Sequence, residues 1–168
     1  MEEIINKVAE SGLITINLED LYPSDNEIYK IDLKEILFQE LILREKDIRD
    51  WVKQLDLKQV KNKFVWLTCS ADAVIQTWAY MLITQKISLE ANLVVVGSFE
   101  HFIEEVIAYK INQLDLNEYN DKRIVVKGCS KKQVPVSSFV ALTSKLTPIV
   151  ISLMVGEPWS TVPLYNKK

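Results

Sequence analysis

Two Cys-Ser pairs, Cys69-Ser70 and Cys129-Ser130, are the residues in this sequence best suited to chemistry. Each pair follows a short apolar run, and the same four letters, QLDL, occur before each run, at residues 54–57 and 113–116. The distance from the QLDL segment to the Cys-Ser pair is one residue longer in the second case than in the first. We weigh an ancient duplication evenly against coincidence.

If each pair joins a strand to a helix, both thiols lie at the carboxyl edge of a parallel sheet, where α/β proteins bind ligands. The start of a helix favours a thiolate and bound anions, since its N–H groups are free. With strand order 2-1-3 the two thiols would face one crevice. The predicted ligand-binding residues are Cys69, Ser70, Asp72, Cys129, Ser130, Lys131, Lys132 and Glu157.

Simpler roles exist for the same residues. A cysteine at the end of an apolar strand often packs as a small hydrophobic residue. Cys69 and Cys129 are the predicted metal ligands, but two soft ligands are too few for a closed zinc site made by the protein alone. Asp72 either caps a helix or serves as an acid or base beside Cys69.

The hydrophobic pattern predicts the elements that would position these residues. Alternation indicates strands at 13–18 and 28–33, and helical spacing indicates a helix at 37–55. Strand and helix then alternate: 64–67 and 73–87, 93–96 and 99–114, 124–126 and 137–155, with a kink or break at Pro148. We therefore predict a single α/β domain over residues 1–168, three-layered, with a mainly parallel central sheet flanked by helices and a mixed N-terminal part.

Other features are weaker candidates. His101, the single histidine, is expected at a surface or packing position, and of Trp78 and Tyr80 we expect Trp78 to pack in the core. Residues 156–163 form a non-helical tail that is either a lid, an edge strand or a docked terminus. Residues 3–10 form a short amphipathic segment.

Composition limits the partners. The net charge of −3, with basic residues scattered among acids, argues against nucleic acid. No apolar run approaches the roughly 20 residues that span a bilayer, and we find no signal peptide, so we expect a cytoplasmic protein without a membrane partner. Common nucleotide-binding, hydrolase, zinc-protease and thioredoxin motifs are absent, so enzymatic activity is uncertain and the cofactor unknown.

Several segments form a recognisable set: GLITI at 12–16, LREKD at 43–47, TCSADA at 68–73, TWAYM at 77–81, KGCSKK at 127–132 and GEP at 156–158. Together they resemble a bacterial family called domain of unknown function 2480, over nearly the whole chain. The resemblance implies no established activity and a theme of iron–sulphur cluster assembly. Relatives often carry a third cysteine where this chain has Trp159, which weakens a three-cysteine metal site.

Three functions remain open. The first is an accessory protein for thiol, metal or sulphur handling, associated with iron–sulphur cluster assembly. The second is an interaction module that binds a protein partner or itself as a homodimer, with the N-terminal third as docking face and structural cysteines. The third is an enzyme or sensor that binds a small anion through Ser70, Ser130, Lys131 and Lys132.

Overall fold

The computed structural model describes residues 12–128 and 130–167 and confirms a mixed α/β protein with mostly parallel strands and accompanying helices. The strands are β1 (Leu13–Asn17), β2 (Ile28–Asp32), β3 (Phe64–Thr68), β4 (Leu93–Val96), β5 (Arg123–Lys127), β6 (Ser152–Glu157) and β7 (Ser160–Asn166). The helices are α1 (Glu45–Gln54), α2 (Leu57–Val60), α3 (Thr77–Ile87), α4 (Phe99–Asn112) and α5 (Val136–Leu146). Short 3₁₀ segments occupy Leu18–Leu21, Asp25–Glu27, Leu33–Ile36 and Leu116–Tyr119.

The described residues divide into two compact units, whose boundary falls within α4. The first unit contains the residues up to Tyr22 and those from Ile107 onward, and the second contains Pro23–Val106. Each unit has its own sheet. A single domain over residues 1–168 stays a prediction.

The sheet of the second unit is parallel throughout, in the order β2-β3-β4. Its central strand carries the apolar residues Val65 and Leu67, which are almost fully buried. Ile83 and Ile87 of α3 are also fully buried and belong to the same hydrophobic core. The continuous apolar runs that predicted buried strands therefore do form them.

The sheet of the first unit has the order β1-β5-β6-β7, in which only β7 is antiparallel. The tail that we expected to be a lid, an edge strand or a docked terminus is the β6–β7 hairpin, with β7 at the edge. Gly156 has φ +125°, and a Cβ there would lie 2.5 Å from the Ser160 carbonyl oxygen. Pro163 suits an edge strand because proline cannot donate to a further neighbour.

The two units place their elements at equal spacings. The same distance along the chain separates Phe64 from Arg123, Thr77 from Val136 and Leu93 from Ser152, the first residues of matching strands and helices. Counted in this register, Cys69 corresponds to Gly128 and not to Cys129. This one-residue shift is the one already present in the sequence between the two Cys-Ser pairs, and a duplication stays a prediction.

Several predicted boundaries are wrong. The helix expected at 37–55 begins only at Glu45, because residues 38–42 form a tight turn. The helix expected at 137–155 ends at Leu146, two residues before Pro148, and Val155 lies in β6. Thr147 still has helical φ and ψ, but Pro148 has no N–H to donate to the preceding turn and its ring would clash with that turn, so the helix cannot continue through it. The amphipathic segment at 3–10 lies outside the described residues.

Within the described residues, no helix is both long enough and apolar enough to cross a membrane.

Candidate functional site

The carboxyl ends of β1, β5 and β6 meet at one edge of the first unit's sheet. Asn17 pairs with Lys127 at the ends of β1 and β5. The Lys127 ammonium lies 3.5 Å from Oε2 of Glu157, the last residue of β6. That oxygen is shielded from water and accepts no hydrogen bond, so its interaction here is the ion pair with Lys127. Glu157, a predicted ligand-binding residue, thus lies at the carboxyl edge.

Gly128 follows β5 directly and lies in a closely packed position. A Cβ at this position would lie 3.1 Å from the Phe139 ring and 3.4 Å from the Leu18 side chain. The absence of a side chain allows the backbone to pass close to both. After it, Ser130, Lys131 and Lys132 are exposed.

Backbone N–H groups of Ser130, Lys131 and Lys132 converge on one carboxylate oxygen, Oε1 of Glu19. Lys131 donates at 2.9 Å and Lys132 at 3.4 Å, and the Ser130 N–H also donates. The Ser130 hydroxyl lies 3.2 Å from Oε2. We call these three residues the 130–132 cradle. Successive N–H groups that point at one anion form a recognised anion-binding concavity.

The cradle changes the acidity of Glu19. The backbone N–H of Lys131 is the largest effect and lowers the pKa of this carboxyl. Burial, the next largest, opposes it, but the Ser130 and Lys132 donors lower the pKa further, so that the net pKa is lowered. Donors that stabilise the charged form lower a pKa. The Lys132 ammonium also lies over the Tyr22 ring, 4.6 Å from its centroid.

The local sequence explains the position of Glu19. β1 ends at Asn17, whose side chain accepts a hydrogen bond from the Glu19 N–H at 3.2 Å and starts the 3₁₀ segment Leu18–Leu21. Leu18 is fully buried and anchors that segment. Sequence reasoning missed Glu19. The available signal was an acid just after a strand that ends at the same edge as β5.

The second unit has a comparable but different edge. β2 ends at Asp32, whose Oδ1 accepts hydrogen bonds from the Ser70 N–H at 2.9 Å and the Lys34 N–H at 3.2 Å. The Lys30 ammonium lies 3.2 Å from Oδ2. Burial acts to raise the pKa of Asp32, but hydrogen bonds from Ser70, Lys34 and Lys30 outweigh it and lower the pKa from 3.8 to about 2. Ser70, predicted as a ligand-binding residue, is thus bound to Asp32.

Cys69 follows β3 directly but does not stand at the start of a helix, because residues 69–76 form a loop before α3. The thiol is half-buried, packs against the hydrophobic core and lies 3.7 Å from the Ala71 carbonyl oxygen. Burial, with a smaller effect from the Cys69 charge, raises the pKa of Tyr80.

The capping role expected for Asp72 is wrong. The N-cap of α3 is Gln76, which makes no side-chain capping bond, and Asp72 lies exposed in the loop before it. Lys131 and Lys132 likewise precede α5 by a loop, since that helix begins at Val136. The anion-binding geometry around Lys131 therefore comes from loop N–H groups and not from a helix start.

β3 and β5, the strands that precede the two cysteines, belong to different sheets. The 2-1-3 strand order, in which these two strands would be neighbours, is therefore not the observed one. Cys129 lies outside the described residues, so a shared crevice for the two thiols stays a prediction. Among residues 12–128 and 130–167, no three His, Cys, Asp or Glu side chains come together to hold a metal ion.

The remaining candidates also have definite places. His101 is exposed near the start of α4, in agreement with a surface role. Trp78 is partly buried and packs against the core of the second unit, as expected, and its indole N–H donates to Gln76. Neither contributes to the 130–132 cradle.

A family model described as "Protein of unknown function (DUF2480)" matches residues 2–167. The chain belongs to this family. No curated protein and no solved structure matches the chain.

Proposed function

We propose that this DUF2480 protein binds a small oxyanion, of the phosphate or carboxylate class, in the 130–132 cradle. In this proposal Glu19 keeps the cradle in shape and gives way when the ligand enters. The observation that carries it is the convergence of three successive N–H groups on a single oxygen of Glu19.

The cradle has the donors that an oxyanion requires. Backbone N–H groups can bind any anion of suitable size, and a carboxylate supplied by the chain is chemically close to a bound carboxylate or phosphate oxygen. The side chains of Lys131 and Lys132 add positive charge next to it. The position at the carboxyl edge of a mainly parallel sheet is also the usual place for ligands in α/β proteins.

The edge of the second unit lacks this arrangement. Asp32 receives one N–H group from the loop after β3, that of Ser70, and its other partners come from β2 and the 3₁₀ segment beside it. The Asp32 side chain is only 11% exposed. A ligand would therefore find the donors of a single loop residue, Ser70, there and a carboxylate that is hard to displace.

The proposal can be tested with inorganic phosphate and ¹H–¹⁵N NMR. The amide signals of Lys131 and Lys132 should move on titration, and Glu19→Gln should bind phosphate about tenfold more tightly because the competing charge is gone. Asp20→Asn is the matched control, since it removes the same charge from the next residue of the same 3₁₀ segment.

Two results would contradict the proposal. One is a set of cradle amides that do not respond to phosphate in either the native chain or Glu19→Gln. The other is an equal gain in affinity for Glu19→Gln and Asp20→Asn, which would indicate a general effect of net charge.

The second candidate function is thiol or sulphur handling linked to iron–sulphur cluster assembly, and one observation favours it. Cys129 precedes the cradle directly in sequence, and N–H donors and lysines favour a thiolate. Anaerobic purification followed by measurement of metal and labile sulphide per chain tests it. A signal that is lost in Cys129→Ser and kept in Cys69→Ser would support this function, and an empty native protein would count against it.

A further inference from the structure

The parallel strands of the first unit begin beside a pocket, at the other end of the sheet from the 130–132 cradle. Leu13, Arg123 and Ser152 are the first residues of β1, β5 and β6, and all three line this pocket. The rest of the lining comes from β6 and the antiparallel β7, with Met154, Pro163, Tyr165 and Asn166. The volume is about 410 Å³. Pockets that bind small molecules have volumes of roughly 300–1,000 Å³, so this one suits a small ligand.

Strand register brings most of the lining side chains to one face of the sheet. Arg123 is paired with Leu13 on one side and with Ser152 on the other, and Ser152 is paired in turn with Asn166. Residues in register on neighbouring strands present their side chains on the same face. Met154 lies two residues after Ser152 and therefore also lies on that face, since successive side chains of a strand alternate.

The Arg123 guanidinium is exposed and unpaired. Within residues 12–128 and 130–167 it makes no ion pair and donates no hydrogen bond. Asp121, the nearest acid along the chain, pairs with Lys167 instead. The described lining residues include no acid. The pocket therefore has one positive charge that no carboxylate in the described part of the chain neutralises.

The other lining residues add neutral donors and an apolar wall. The Ser152 hydroxyl and the Asn166 amide can each donate a hydrogen bond, and neither side chain bonds to another described residue. Leu13, Met154 and Pro163 supply the apolar wall. A guanidinium presents two parallel N–H groups that match a carboxylate. The lining thus combines a site for one carboxylate with a surface for hydrocarbon.

The matching positions of the second unit are apolar. In the register that matches Phe64 with Arg123, Leu93 corresponds to Ser152. Phe64 is only 3% exposed, so the second unit begins its central strand with a buried aromatic side chain. A charged residue is therefore not required at this position to start the central strand of such a sheet. The arginine adds a function that burial alone does not explain.

We propose that this pocket binds a small organic acid with a single carboxylate and an apolar body. The carboxylate pairs with the Arg123 guanidinium, with Ser152 and Asn166 as further donors, and the body lies against Met154 and its apolar neighbours. Inorganic phosphate fits less well, because it has no apolar part to cover the wall and one guanidinium leaves part of its charge unbalanced. The site is independent of the oxyanion proposed for the 130–132 cradle.

Calorimetric titration of the full chain with hexanoate tests the proposal, with acetate and hexanamide as comparison ligands. Affinity should rise about threefold for each methylene between acetate and hexanoate, because each one covers more of the apolar wall. Hexanamide carries no charge and should bind about tenfold more weakly than hexanoate. A ligand of this size is expected to bind in the millimolar range.

Arg123→Gln removes the charge that carries the proposal and should weaken hexanoate binding by about tenfold or more. Lys122→Gln is the matched control, because it removes the same charge from the adjacent exposed residue, which does not line the pocket. This variant should bind hexanoate as the native chain does. Circular dichroism spectra should show that both variants are folded.

NMR separates this pocket from the cradle. Hexanoate should move the side-chain amide signals of Asn166 and the Nε–H signal of Arg123, and Glu19→Gln should leave its affinity unchanged. The proposal is overturned if the native chain does not bind hexanoate or if Arg123→Gln and Lys122→Gln lose affinity equally. It is also overturned if hexanoate moves only the backbone amides of the cradle.

Discussion

The Asp32 carboxylate ties the end of β2 to the loop that follows β3, and Asp32→Asn tests what its charge contributes. Asparagine keeps an oxygen that can accept from the Ser70 N–H, so the substitution removes mainly the charge. The pKa falls from 3.8 to about 2 in the folded chain. At about 1.4 kcal/mol per pKa unit, this lowering of the pKa corresponds to about 2.5 kcal/mol of stabilisation of the folded chain. Solvent screening at the sheet edge reduces the expected loss of stability to about 1 kcal/mol.

The sign of the pH dependence follows from the lowered pKa. A carboxyl group whose pKa is lower in the folded state stabilises the fold above its unfolded value and loses this effect as the pH falls through its folded value. The difference in unfolding free energy between the native chain and Asp32→Asn should therefore be complete above pH 4. It should become progressively smaller as the pH falls from 4 to 2, since Asp32 in the folded chain is about half protonated near pH 2.

Urea unfolding at pH 7 and at pH 2.5, followed by tryptophan fluorescence, measures this difference. Trp66 lies in β3 and reports on the same sheet. Asp72→Asn is the matched control, because Asp72 is exposed in the loop that contains Ser70. The reasoning is refuted if Asp32→Asn loses the same stability at both pH values, or if Asp72→Asn loses as much at pH 7.

Three further predictions concern packing, backbone geometry and thiol exposure. Ile83→Ala should lower the free energy of unfolding by about 2–5 kcal/mol in urea titrations, since Ile83 is fully buried, and a loss below 1 kcal/mol would contradict the described core. Gly156→Ala should cost about 2 kcal/mol in thermal unfolding, because its φ is +125° and the new Cβ would clash with Ser160; an unchanged melting temperature would contradict that hairpin geometry. In Cys129→Ser, where Cys69 is the single thiol, a thiol reagent should react more slowly with the folded than with the unfolded chain, and equal rates would show that Cys69 is not packed as described.

The first five strands could be predicted from the sequence as alternating or short apolar runs, but the apolar run of β6 also fits helical spacing, which wrongly predicts the end of a helix there. The run at 93–96 coincides with β4, and the run at 28–33 differs from β2 by one residue. Helix starts were predicted unevenly: α4 begins at Phe99 as expected and α5 begins one residue early at Val136, whereas the starts expected at 37 and 73 are wrong. Val74 and Ile75 continue the apolar spacing of α3 backward, yet α3 begins at Thr77 without a capping side chain that would mark its start.

The candidate site was only partly accessible to sequence reasoning. Its loop residues were found, because Ser130, Lys131 and Lys132 follow an apolar strand and are polar. Glu19 was not found, because it lies 111 residues from Ser130 in the chain and is brought near by the pairing of β1 with β5. Strand pairing at such distances leaves no local signal in one sequence.

The two sheet edges show why one of them suits ligand exchange. At the end of β2 the residue is Asp32, a short carboxylate that reaches both its own 3₁₀ segment and the Ser70 N–H, and it is nearly enclosed. At the end of β1 the residue is Asn17, which caps its own 3₁₀ segment through a neutral amide. The acceptor in the 130–132 cradle is therefore Glu19, two residues after Asn17. In the proposal, its longer and more flexible side chain moves out while Asn17 still caps the 3₁₀ segment. In the proposed function, a neutral cap with a separate acidic partner would allow the cradle to exchange its anion without unfolding the turn, and the Glu19→Gln titration tests this.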